Sequence, residues 1–65
     1  MNKLNARMAE LEMSMTDLAE TIGIHVSTLY RKMRAPECLY LWEVKKIKEA
    51  LHLSQKQLVE IFFDD

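Results

Sequence analysis

A chain of 65 residues with one glycine, Gly23, and one proline, Pro36, has almost no means of making the tight corners of a β-rich fold. It reads as helices joined by short turns. Glycine inside a helix costs roughly 1 kcal/mol relative to alanine. Gly23 interrupts the run LAETIGIHVSTLYRKM, so it is expected between two helices, where a residue of positive φ ends the first one most cheaply.

The apolar spacing supplies the rest. Leu4, Met8 and Leu11 recur at i, i+4, i+7 and mark a first helix of two to three turns. Ser14 and Asp17 form a capping box that opens a second helix, with Leu18, Ala19 and Ile22 on its buried face. A third helix begins near Val26 with His25 at the cap. Leu29 and Met33 face inward, and Ile24 packs beneath the turn. Ala35 precedes Pro36 and is pushed out of the α region, so that helix stops by about Arg34. After the loop APECLY, a fourth helix is expected from Leu41 to Leu51, with Leu41, Val44, Ile47 and Leu51 inside. Ser54 and Gln57 cap a fifth, whose inward residues are Leu58, Ile61 and Phe62. The expectation is one all-α, compact five-helix domain over residues 1–65, with no further ligand or cleavage domain.

Composition narrows the function classes. A domain of this size buries only about 60% of its unfolded surface, which leaves little room for an enclosed active site. No nucleophile, paired carboxylates or phosphate loop stands out, so the chain is not expected to be an enzyme or to need a cofactor. Cys38 is the sole cysteine, which precludes an internal disulfide, suits a reducing cytoplasm and reads as an incidental thiol. His25 and His52 are far apart without cysteine or carboxylate company, so no metal site is expected. The N-terminus carries charges throughout and no apolar run long enough for a signal peptide or membrane span, so a soluble, cytoplasmic protein is expected. The five methionines read as gap fillers. Net charge is −1, but its distribution is uneven. Arg31, Lys32, Arg34, Lys45, Lys46 and Lys48 face only Glu37 and Glu43 in the middle, while Glu10, Glu12, Asp17, Glu20, Glu49, Glu60, Asp64 and Asp65 gather toward the ends. A basic middle is consistent with one polyanion-facing surface, although taken alone it fits the solvation of helix faces better.

Two short helices around a glycine turn form a helix-turn-helix. Ala19 is small where the helices pass closely, Gly23 follows four residues later, and Leu18, Ile22, Ile24 and Leu29 clamp the pair, with Met33 continuing the core stripe. The segment MSMTDLAETIGIHVSTLYRKM resembles the helix-turn-helix of the phage Cro/cI-type repressors, the xenobiotic-response-element-like family, and LWEVKKIKEALHLSQKQLVEIFF resembles the last two helices of small Cro-like proteins. The resemblance covers almost the whole chain and implies a lambda-repressor-like fold. It further implies a double-stranded DNA operator as partner, bound by a homodimer with the second motif helix in the major groove.

Carried over by position, the base-reading residues are Val26, Ser27, Tyr30 and Arg31, with Thr28 at the margin. Thr16 and the amides beside it are implied to meet a phosphate, and His25, Lys32 and Arg34 are further phosphate candidates. Arg31 serves either as a base reader or as a phosphate or surface charge, and Tyr30 either reads bases or lies on the domain with its hydroxyl at a phosphate. Trp42 and Phe63 are candidates for a dimer contact, Trp42 alternatively a rim residue over the loop. Two positions depart from the family pattern. Lys32 stands where an apolar residue is usual, and a rotated or shortened recognition helix would shift the reading set by one residue. Tyr40 stands where a capping Ser, Thr or Asp is usual. The overall expectation is a Cro-like repressor of phage or prophage origin. The alternative is a protein-interaction module that modulates a partner repressor.

Overall fold

The computed structural model describes residues 2–63, so Asp64 and Asp65 of the acidic end lie outside the described residues. Five α-helices follow one another: α1 (Asn2–Glu10), α2 (Met15–Ile22), α3 (Val26–Arg34), α4 (Leu41–Ala50) and α5 (Gln55–Phe63). Within the APECLY segment, expected as loop, Pro36–Cys38 forms one 3-10 turn. Among the described residues no helix is long and apolar enough to cross a membrane.

The helix starts follow the capping residues. The Ser14 hydroxyl accepts the Asp17 amide at 3.1 Å, and the Asp17 carboxylate accepts the Ser14 amide at 3.0 Å. Ser54 and Gln57 repeat the exchange ahead of α5, at 3.1 and 2.9 Å. At α4, Tyr40 contributes no side-chain cap; the Glu43 carboxylate reaches back to accept the Tyr40 amide at 2.7 Å.

Three helices end in the same left-handed turn. Gly23 has φ +92° and donates its amide to the Ala19 carbonyl, which also accepts from Ile24. Glu12 (φ 53°) and His52 (φ 51°) occupy the equivalent positions after α1 and α4, where the Met13 amide closes onto Met8 and the Leu53 amide onto Lys48. Non-glycine residues pay a backbone penalty in this conformation. The end of α4 receives a second tie that the sequence reading missed: Arg7 Nε donates to the Leu51 carbonyl at 2.9 Å. A cation there satisfies an orphan carbonyl and complements the helix dipole.

The core is Leu4, Met8, Leu18, Ala19, Ile22, Leu29, Ile47, Leu51, Leu53 and Ile61. Helix α2 is the hub, packing on both α3 and α4, while α1 pairs with α5. Ala19 is 1% exposed there, consistent with a small residue allowing close approach. One expected core residue is corrected: Leu41 is 70% exposed. The inner face of α4 instead runs through Glu43, Ile47 and Ala50 at i, i+4, i+7, with Val44 half-buried, and this rotation turns Leu41 outward.

Two predictions follow from these helix ends. A Cβ at Gly23 would meet nothing within 4 Å, so the cost of a side chain there is backbone strain alone. Gly23→Val should lower the melting temperature by the equivalent of about 1–2 kcal/mol, and Gly23→Asn by much less; equal melting of all three proteins would contradict the turn. The hydrogen bond from the Ser14 amide, aided by its hydroxyl, holds the Asp17 carboxyl below its ordinary pKa. A depressed folded-state pKa adds stability above the unfolded value and loses it as pH falls through the folded one. Asp17→Asn should therefore melt lower than the parent at neutral pH and converge with it in acid, which thermal melts across pH will check.

Candidate nucleic-acid interface

Helix α3 owes its two faces to its sequence. Leu29 is fully buried, and Ile24, Val26 and Met33 pack partly buried against the core. His25, Ser27, Tyr30, Arg31 and Arg34 are exposed, and Thr28 is intermediate. The helix contains no acidic residue. Among the described residues neither Arg31 nor Arg34 has an ion-pair partner. A solvent-facing stripe of hydroxyls and unpaired guanidinium groups on one short helix is suited to phosphate oxygens and base edges.

The start of α3 is organised by His25. Its Nδ1 accepts the Ser27 amide at 3.2 Å and lies 2.8 Å from the Ser27 hydroxyl. In the tautomer whose Nδ1 accepts the amide, the hydroxyl donates to the same atom. Two consequences follow for that tautomer. His25 Nε2 is left as a donor, suited to a phosphate. Ser27 Oγ has spent its hydrogen and remains an acceptor, which matches the exposed amino group of adenine or cytosine.

The other sequence-chosen residues occupy distinct settings. Val26 has one side committed to the core, so only part of it is available to a base. Tyr30 is 50% exposed and lines a shallow groove with Leu4, Met15, Met33 and Arg34, so its ring rests along the domain. Thr16 is exposed in the first turn of α2, where its amide and that of Met15 precede the first intrahelical bonds and are available to an external acceptor. Trp42 is 48% exposed and Phe63 78%. Phe63 borders an apolar groove with Pro36, Leu39, Leu41, Val44 and Phe62.

Lys32 is corrected. Expected to be free for a phosphate, its Nζ is instead engaged inside the domain: it lies 2.7 and 2.8 Å from the two carboxylate oxygens of Glu43 and 4.2 Å from the centre of the Tyr40 ring. The Lys32 side chain is 11% exposed and that of Glu43 1%. The departure from an apolar residue is thus met by a buried ion pair, and α3 keeps Leu29 inward without shortening. Glu43 escaped the sequence reading because a glutamate early in a helix reads as a surface charge. Its spacing four residues before Ile47 was the available signal.

The model of the family described as Cro/C1-type HTH DNA-binding domain matches residues 3–64. No curated protein and no solved structure matches the chain.

Removing either partner of the ion pair strands a buried charge. Lys32→Ala and Glu43→Ala should each lose about 3–5 kcal/mol of stability, read by urea denaturation. A Lys32→Ala variant of parental stability would mean that the pair does not form.

Proposed function

Because the chain belongs to the Cro/C1-type HTH DNA-binding domain family, and so is a DNA-binding transcription regulator, we propose that α3 reads an operator from the major groove. The protein then acts as a Cro-like repressor of phage or prophage origin, its occupancy of the operator blocking polymerase. The observation that carries this reading is the exposed, acid-free stripe of α3 backed by a fully buried Leu29. The origin rests on the likeness of the last two helices to small Cro-like proteins.

In this reading Arg31 pairs with the O6 and N7 of a guanine, Ser27 accepts from an adenine or cytosine amino group, and Val26, Thr28 and Tyr30 flank them with apolar contact and hydroxyls. Thr16 with its neighbouring amides, His25 through Nε2, and Arg34 hold phosphates and orient the domain without reading sequence.

The same reading includes a homodimer on DNA. Leu41 and Phe63 are the most exposed large apolar residues described, and the groove they border carries Glu37 as its only charged side chain. Trp42, next to Leu41 in the chain, is half-exposed as well. Described residues span 27 × 26 × 19 Å, dimensions compatible with two side-by-side copies presenting their α3 helices to successive major grooves, about 34 Å apart. A partner repressor seated on this groove is the rival use of the same surface.

Selection of bound duplexes from a random pool, followed by salt titration, tests the proposal. Palindromic winners are expected, with adenine or cytosine opposite Ser27 and affinity that falls with salt at a log–log slope near −0.9 per phosphate neutralised. Arg31→Ala should relax the preference at one base pair per half-site by the equivalent of about 1–3 kcal/mol. No enriched sequence, together with salt-insensitive capture of a repressor protein, would favour the rival.

A further inference from the structure

The recognition helix and α4 are joined by one buried polar contact, and ordinary stability does not explain it. Both oxygens of Glu43 hold Lys32 Nζ, and the Oε1 atom that does so also accepts the Tyr40 amide. The Tyr40 ring covers the ammonium. Helix α3 packs chiefly on α2 and on the 3-10 turn, and α4 chiefly on α2. A buried ion pair contributes little net stability compared with apolar side chains of the same volume, because desolvation offsets the attraction. Its distinctive property is geometric. An apolar contact is satisfied by many neighbours, whereas the buried carboxylate is satisfied only in arrangements that keep the ammonium and the Tyr40 amide within reach of it.

Lys32 directly follows Arg31, so any rotation of α3 swings the reading side chains with it. Productive contacts of this kind must be held to about 0.5 Å by supporting residues. We infer that Glu43 is a positioning residue for sequence recognition: from outside the reading face it fixes the rotation of α3 through Lys32, and Tyr40 completes the clamp. The inference rests on the DNA-reading role proposed above. It assigns to the pair selectivity rather than affinity.

The test uses the full chain, the duplex recovered by selection, and a scrambled duplex of the same length. Lys32→Met combined with Glu43→Leu removes both charges and fills the volume. This double variant should melt at or above the parental temperature and bind the scrambled duplex as the parent does. Its ratio of selected to scrambled affinity should fall at least about tenfold, the worth of one good base contact. If the double variant fails to fold, Glu43→Gln supplies the comparison, since it keeps shape and one acceptor oxygen; a reduced ratio with faster amide exchange in α3 is expected. A folded variant lacking the carboxylate with an unchanged ratio would overturn the inference. A parent that prefers no duplex would instead overturn the DNA-reading role on which it rests.

Discussion

The arrangement of this domain depends on a charge that cannot be left unpaired. Glu43 is essentially inaccessible to solvent, and a lone carboxylate there would be prohibitively costly. Lys32 answers it from α3 and the Tyr40 amide from the start of α4. That single requirement links the end of the recognition helix, the 3-10 connection and the fourth helix. It also decides which face of α4 is buried, since bringing Glu43 inward carries Leu41 outward. The exposed apolar groove beside Leu41 therefore arises from the same rotation of α4 that buries Glu43.

Around this contact the fold is a set of short helices with firmly specified ends. Helices of eight to ten residues are marginal on their own and depend on caps and packing. Here hydroxyls or an imidazole close the starts of α2, α3 and α5, and left-handed turns close the ends of α1, α2 and α4. Helix α2 then serves as the common support for α3 and α4, so the reading face is mounted on the most deeply packed part of the chain.

Most of this was legible beforehand because capping residues and Gly23 act locally: their chemistry needs only neighbours a few positions away. The apolar spacing of α2 and α3 was equally plain. What escaped were long-range pairings of charged residues. Lys32 sits three positions after Leu29 and Glu43 four before Ile47, so two opposite charges occupy core-facing positions, yet each alone looks like solvent-facing decoration. Arg7 was overlooked for the same reason, as its partners lie at Leu51 and His52. The role of His25 as a cap was visible, but the commitment of the Ser27 hydroxyl to its ring required the folded geometry.

The net charge of −1 also acquires a physical reading. With Lys32 paired internally, α3 offers Arg31 and Arg34 as cations without an ion-pair partner among the described residues, alongside neutral donors from Thr16 and backbone amides. Neutral donors release no counterions, so the proposed DNA contact should depend less on salt than one made by lysines and arginines alone. The central claim is that the outer face of α3 is the surface that meets DNA. Backbone amide shifts during titration with the selected duplex test it most directly: the largest changes are expected at His25, Ser27, Arg31 and Arg34 and at the start of α2. Changes confined to Leu41, Trp42 and Phe63, with α3 silent, would contradict it.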